Sequence, residues 1–374
     1  MVKSYMSKKV TDSADTKVIT QGRVESRSVS LSDVAKYANV STATVSRVLN
    51  NPEKVTEARR NLIQAAIYEL GYIPHGAARA LASRRTKTIG VVVPTLDNAI
   101  FAVCIQALQS RLKKLGYTLI VASHEYDLEE ELHEVKTLLR QGIEGVMLVG
   151  RTHVPELHQL LAGQQLPFVH CWAYDPNSLK PYIGFDNKKA AKKIAQYLLD
   201  LGHREFALIV GHTDNNDRSS DRLQGSKEAI ESRGLVLSEK NIFKRSYSVK
   251  QGREAMRILL QNTVRPTAVI CGNDVLALGA LAQCQAEGVN VPEDISITGF
   301  DDLDMSSQLI PALTTVHIPS AEMGKRAADH LIGQINHETT LLHTEVGIEL
   351  MIRGTTAAPR AASQRLNKRR TKVI

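Results

Sequence analysis

The sequence predicts an α/β protein: a two-lobed, parallel-sheet core preceded by a small all-α helix-turn-helix headpiece. Three observations predict it. Residues 29–50, VSLSDVAKYANVSTATVSRVLN, carry two short apolar faces separated by a tight turn. From Thr88 onward, short apolar runs alternate with helical stretches, the rhythm of repeated strand–helix units. Positive charge gathers at the two ends of the 374-residue chain instead of spreading along it.

In the headpiece, Leu31, Val34, Ala35 and Ala38 form one helical face, and Val45, Val48 and Leu49 form another. Asn39-Val40-Ser41 is the turn between them, with the Ser41 hydroxyl placed to cap the second helix. Burying the apolar face of that helix leaves Thr42, Ala43, Ser46 and Arg47 outward. Such a face is short, neutral to basic and free of carboxylates, which suits a major groove lined by phosphates. Two amphipathic helices and a turn would also describe a core hairpin, but the adjoining segment argues for a headpiece. Asn50-Asn51-Pro52 ends the second helix, and Thr56 can cap a third running to Leu70. Leu62, Ala66, Ile67 and Leu70 are its expected inner face, and Gly71 its stop.

The charge distribution agrees. The net charge is +8, with +3 in residues 1–28, +4 in residues 29–86 and +6 in residues 358–374, so the middle of the chain is acidic. That is the electrostatic footprint of a nucleic-acid binder. The four cysteines, Cys104, Cys171, Cys271 and Cys284, have no CxxC spacing and read as buried thiols in a reducing compartment. The first residues lack the apolar stretch of a signal peptide and no apolar run approaches a membrane span, so a cytoplasmic protein is expected. No phosphate loop, GxSxG elbow, HExxH motif or metal-ligand spacing of the twelve histidines is present, which argues against an enzyme and calls for neither metal nor cofactor. A secreted solute-binding protein would share the core but not the headpiece.

The core resolves into alternating strands and helices. Thr88–Pro94 is an apolar run bounded by turn formers, hence a buried strand; a helix from Ala99 to Leu115 comes next, stopped by Gly116. Tyr117–Ala122 is a second strand, Leu128–Arg140 an acidic helix, and Gly145–Val149 a third strand. Further strands are expected at Phe168–His170, Glu205–Val210, Ala268–Ile270 and Ile295–Phe300. So many units exceed one comfortable sheet, and two lobes with a cleft are the natural solution. Ligand contacts then belong in loops after strands. Asn98 and Phe101 come after the first strand, Asp186 lies in GFDN, Arg222 in DRSSDRLQG, Asn273-Asp274 after Ile270, and Asp301-Asp302 after Phe300. Carboxylate, amide, guanidinium and aromatic groups together suit a polyhydroxylated or anionic small molecule. Asp186, Asp274 and Asp302 could instead be helix N-caps, and Tyr247 could simply pack.

The blocks SLSDVAKYANVSTATVSRVLNNPEKV and ELGYIPHGAARALAS, together with TIGVVVP, resemble the lactose/galactose repressor family over roughly residues 29–356. The resemblance implies a periplasmic-binding-protein-like core. It also implies that Arg222, Asn273 and Asp301 hydrogen-bond an effector on which Tyr247 stacks. The segment around PHGAARALASRR would be a hinge that becomes helical on the operator, with Leu81 wedged into the minor groove. Expected boundaries are a disordered basic extension (1–28), headpiece (29–74), hinge (75–86), effector and dimerisation core (87–356) and basic tail (357–374). The expected partners are double-stranded operator DNA, a second copy of the chain and a small effector, with no membrane. On DNA, Arg47 would contact a guanine in bidentate fashion and Thr42 and Ala43 neighbouring base edges, while Ser41, Thr44, Ser46 and Asn50 would bond phosphates. RTHVPEL, GFDN and CQAEGVNVPEDISITGFDD are similar to gluconate-type members, so a sugar or sugar acid is expected. The absence of a leucine heptad in the tail favours a dimer over a tetramer.

Overall fold

The computed structural model describes residues 29–73 and 85–360. The expectations for the extension 1–28, for Leu81 and the hinge up to Arg84, and for the tail beyond Arg360 lie outside the described residues. The chain forms two compact units that divide between Arg84 and Arg85.

The first unit holds α1 (Leu31–Tyr37), α2 (Thr42–Asn50), a single 3-10 turn (Pro52–Lys54) and α3 (Glu57–Leu70). Its first helix starts with a reciprocal cap: the Asp33 amide donates to the Ser30 hydroxyl (3.3 Å), and the Ser30 amide donates back to the Asp33 carboxylate (2.9 Å). Ser41 caps α2 as its position suggests, accepting from the Thr44 amide at 3.2 Å. Gly71 closes α3 in the left-handed conformation. Val34, Ala35, Ala38, Val45, Val48, Ile63, Ala66 and Tyr72 make the small core.

Two expectations for α3 need correction. Leu62 is 50% exposed while Ile63 is fully buried. The inner face therefore runs Ile63, Ala66, Ile67, Leu70, which is the better i, i+3, i+4, i+7 series. Thr56 stands at the N-cap position but its side chain makes no capping hydrogen bond.

In the second unit, β1 (Thr88–Val93), β2 (Thr118–Ser123), β3 (Val146–Val149), β4 (Phe168–Cys171), β5 (Tyr182–Gly184) and β11 (His343–Glu345) make a parallel sheet in the order β11-β5-β4-β3-β1-β2. The helices of this first lobe are α4 (Ala99–Lys114), α5 (Leu128–Arg140), α6 (Pro155–Gly163) and α11 (Ser320–Ile335), the last packed against α4. The second lobe holds β6 (Phe206–Gly211), β7 (Ile242–Arg245), β8 (Ala268–Cys271) and β9 (Ser296–Thr298) in the parallel order β7-β6-β8-β9. Beside them, β10 (Thr315–His317) and β12 (Glu349–Met351) form an antiparallel pair. Helices α7 (Asn187–Asp200) and α8 (Asp217–Glu231) pair with each other, as do α9 (Val249–Gln261) and α10 (Asp274–Ala286).

The strands nearest the lobe centres read as continuous apolar runs because both faces are covered: every residue of β3, β6 and β8 is buried. The chain passes between lobes after β5, before α11 and again between β11 and β12. All four cysteines are buried free thiols. Among the described residues, no helix is long and apolar enough to cross a membrane.

Candidate functional site

On α2, Ser41, Thr42, Ala43 and Arg47 are exposed, and Thr44 and Ser46 are half-buried. Ser41 and Thr44 share a hydroxyl–hydroxyl bond of 2.8 Å besides the cap, so both hydroxyls are fixed at the start of the helix. Of Asn50 only its place at the end of α2 is described. The amphipathic period thus leaves a small outward face around Arg47, as the sequence requires.

In the second unit, Asn98, Phe101, Arg222, Tyr247, Asn273 and Asp301 line one narrow cavity between the lobes. Six residues chosen from the sequence therefore converge on one place, although they are spread over two hundred positions. The seventh does not. Asp186 caps α7, accepting from the Lys189 amide at 2.9 Å, and faces a separate groove with Lys189, Lys193 and Glu345. Its alternative role as an N-cap is the one it has.

Each wall residue is positioned by local structure. Asn98 caps α4 through the Ile100 amide (3.4 Å), and Asn273 caps α10 through the Leu276 amide (2.9 Å). Both caps hold a side chain at a strand's carboxyl end, where parallel sheets place ligands. Arg222 lies in the second turn of α8, almost fully buried. Its Nε donates to Asn187 Oδ1 (2.9 Å) and its Nη1 to the Gly272 carbonyl (2.8 Å), and its guanidinium lies 3.7 Å over the Phe300 ring. Asp301 Oδ1 is 3.7 Å from Arg222 Nη1.

Burial pushes the Asp301 carboxyl up to about 8, outweighing the attraction of Arg222, with Asp274 adding to the rise. The guanidinium is already shared with an amide and a carbonyl, so it compensates the carboxylate only in part. At neutral pH Asp301 is thus held largely as the acid, able both to donate and to accept. Burial likewise pushes Arg222 downward, against the pull of Asp301.

Asp274 and Asp302 do not cap helices. Asp274 is fully buried and accepts from the Leu303 amide (2.8 Å), Ser306 Oγ (2.6 Å) and Thr315 Oγ1 (2.6 Å), tying the loop after β9 to β10. Asp302 pairs with Arg353 (2.7 Å) and with His317 (3.0 Å). Neither belongs to the cavity wall.

Sequence reasoning missed Tyr126, Trp172, Asn216 and Arg218, which also line the cavity. Tyr126 (φ 66) and Trp172 (φ 61) sit in the left-handed region, which bulky side chains rarely adopt. Asn216 caps α8 through Ser219, and an asparagine at a helix start soon after a strand, as at Asn98 and Asn273, was the signal that could have found it. Arg218 spans the seam, donating to the Val149 carbonyl (3.3 Å) and to Asp217 (2.9 Å). Beside it, Arg151 of the first lobe pairs with Asp221 (2.7 Å) and Asp217 (3.5 Å) of the second. Asn215 donates to the Tyr126 carbonyl (3.3 Å) across the same seam.

A helix-turn-helix unit in the same chain as a two-lobed ligand cavity defines a ligand-responsive DNA-binding regulator. Residues 30–75 match the family described as bacterial regulatory proteins, lacI family, and residues 195–356 match a periplasmic binding protein-like domain. The chain is 32% identical over 344 residues to the HTH-type transcriptional repressor CytR of Escherichia coli K12, covering 90% of this chain and 99% of that protein. Among solved structures it is similar to the lac repressor dimer bound to operator and the anti-inducer ONPF (TM-score 0.79, 27% identity, 89% of this chain and 100% of that one). It is also similar to a CelR–cellobiose complex (TM-score 0.65, 30% identity, 87% of this chain and 99% of that one). The chain belongs to the lacI family of bacterial transcription regulators.

Proposed function

We propose that this regulator is a cytoplasmic repressor that binds a pseudo-palindromic operator as a homodimer. In this reading it answers to a small sugar or sugar acid, such as gluconate, held between the lobes. The observation that carries it is the convergence of Asn98, Phe101, Arg222, Tyr247, Asn273 and Asp301 on one buried cavity in a chain of this family. The lac repressor structure is of an operator-bound dimer and the CelR structure holds cellobiose, which supports both the pairing and the ligand class. On the second lobe, Ile310 is fully exposed and Met305 half-exposed, apolar surface that a second copy would cover.

On the operator, Arg47 makes the bidentate guanine contact, Thr42 and Ala43 meet neighbouring base edges, and Ser41, Thr44, Ser46 and Asn50 hold phosphates. Leu81 enters the minor groove at the centre of the site. Ligand between the lobes favours one seam geometry over another, and the resulting coupling between cavity and operator is reciprocal.

Selection of preferred sites from random duplexes at two salt concentrations tests the reading. A palindromic consensus with steeply salt-dependent affinity is expected. Arg47→Ala should then cost about 1–3 kcal/mol and relax one base preference. An unchanged preference in that variant would put α2 in another register, and sequence-indifferent binding by the parent protein would sink the repressor reading.

A further inference from the structure

Four histidines of the first lobe cluster with one buried carboxylate, and none of them lines the cavity. Glu131 of α5 is 1% exposed; its Oε2 meets His153 Nδ1 at 2.8 Å, and its Oε1 lies 4.0 Å from His124 Nε2. His153 Nε2 reaches the Gly150 carbonyl at 3.3 Å. Both partners of His153 are acceptors, so the ring serves them with a proton on each nitrogen, and Glu131 balances that charge.

Two further imidazoles pack on His153. Its ring centroid lies 4.9 Å from that of His170 on β4 and 5.3 Å from that of His158 on α6. His158 and His170 face each other through their Nε2 atoms at 3.3 Å. His170 is fully buried, and its Nδ1 meets the Pro181 carbonyl (3.3 Å), which can only accept. Nδ1 therefore carries the proton of His170, its Nε2 accepts, and His158 donates. One proton holds this pair together, and a second between the two nitrogens turns the bond into a repulsion. The surroundings disfavour added charge. Tyr182 stacks on His170 at 4.8 Å, Phe168 meets both rings edge-on, and Glu131 is committed to His153. Burial accordingly pushes His158 down to about 4, with Lys180 and His153 adding to the fall. It pushes His170 well below the ordinary value, with His153 and His158 adding, and it lowers His124 against the pull of Glu131.

The cluster anchors two loops by which the first lobe touches the second. Gly150 (φ 90) lies so close to Arg218 and Asp217 that a Cβ there would collide with both. The Arg151 amide donates to Asp217 at 3.0 Å. On the other side of Glu131, His124 Nδ1 bonds the Asp127 carbonyl (3.0 Å) and closes the turn that carries Tyr126, whose carbonyl accepts from Asn215.

We propose that this cluster is an acid-sensitive latch on the seam: protonation of His158 and His170 drives the pair apart, dislodges His153 from Gly150 and frees the 149–153 loop from the second lobe. The latch needs neither ligand nor operator. An imidazole held neutral in the fold contributes stability that is complete above about pH 6.5 and is lost as pH falls toward 4. An opening that frees one such group becomes about tenfold more populated between about pH 6.5 and about pH 5. Asp301 acts in the opposite direction, so a melting curve of the whole chain mixes the two effects, and the seam itself must be read.

Hydrogen–deuterium exchange of the full-length protein, corrected for the intrinsic pH dependence of amide exchange, reads it. The Gly150 amide is bonded to the Cys171 carbonyl and the Arg151 amide to Asp217, so both report release of the loop. Corrected exchange in residues 149–153 should be about tenfold faster at about pH 5 than at about pH 6.5. His158→Gln, whose amide still donates to His170 but cannot titrate, should lose most of that acceleration; His133→Gln, at an exposed position of α5, should keep it. Should His158→Gln not fold, the parent protein still decides, because the acceleration must be confined to the 149–153 and 124–127 segments while β6 and β8 stay protected. Exchange that is unchanged at the lower pH, that rises equally in β6 and β8, or that accelerates fully in His158→Gln overturns the proposal.

Discussion

The two walls of the cavity are built from different materials. The first lobe contributes Phe101, Tyr126 and Trp172, with Asn98 at its edge. The second contributes Asn216, Arg218, Arg222, Asn273 and Asp301, with Tyr247 facing Tyr126 at 6.4 Å between ring centroids. An aromatic wall owes its shape to packing and asks little of its neighbours. A polar wall out of water must satisfy itself, so its members are fixed by each other. Substitutions on the two sides should therefore differ in kind: local on the aromatic wall, propagating on the polar one.

The largest expected effect is on the polar side. Arg222→Ala removes the partner of Asp301, the donor to Gly272 and the anchor of Asn187 together. The variant leaves the Asn187 and Gly272 oxygens buried without their donor, each costing about 1–3 kcal/mol, and urea unfolding should show a loss of that combined order. A loss under about 1 kcal/mol, the size of an exposed pair, would mean that the polar wall is hydrated and not self-satisfying.

The contrast between the walls also explains what the sequence made legible. Arg222, Asn273 and Asp301 come after strands at positions where polar residues interrupt apolar runs, and that interruption is a one-dimensional signal. Asn98 and Phe101 obey the same rule. Tyr126 and Trp172 escape it, because an aromatic residue after a strand reads as core, which Trp172 also is, and only the folded chain shows that both reach the cavity wall from left-handed turns. Asp186 is wrongly grouped with the cavity for the complementary reason: a polar residue after β5 meets the strand rule, but the chain crosses the seam there and turns it outward. Leu62 shows the same limit at smaller scale, since a one-residue shift in helical phase moves a side chain through a quarter-turn and from core to solvent. The strand–helix order, by contrast, is carried by local apolar runs, and boundaries such as Leu128–Arg140 agree residue for residue.

A second prediction turns on Asp301. Its native value lies near 8, against an ordinary carboxylate value of 3.8, because burial disfavours the charge. The native state then holds the proton more tightly than the unfolded chain. The associated stability is complete below about pH 4 and is lost as pH rises through about 8. Asp301→Asn cannot ionise and should flatten that slope, so the variant's melting temperature gains on the parent's as pH rises across this window. Parallel melting curves would show that Asp301 is ionised throughout and that Arg222 compensates it more fully than the burial argument allows.

The smallest expected effect lies on the seam where the two walls meet. Arg151 reaches across it to Asp221 (2.7 Å), but its side chain is 37% exposed and its charge is screened. Exposed pairs of this kind contribute about 0.2–1 kcal/mol, and a double-mutant cycle of Arg151→Ala with Asp221→Ala should return a coupling in that range that shrinks at high salt. A clasp this weak has a functional consequence. If the lobes were locked by a strong ion pair, ligand could add little to the preference for the closed seam, since a ligand shifts an equilibrium only by its differential affinity for the two states. With the clasp contributing so little, contacts made by a ligand to the aromatic and polar walls would decide the seam geometry. A salt-insensitive coupling of several kcal/mol would reverse that argument and make the seam, not the cavity, the element that sets the resting state.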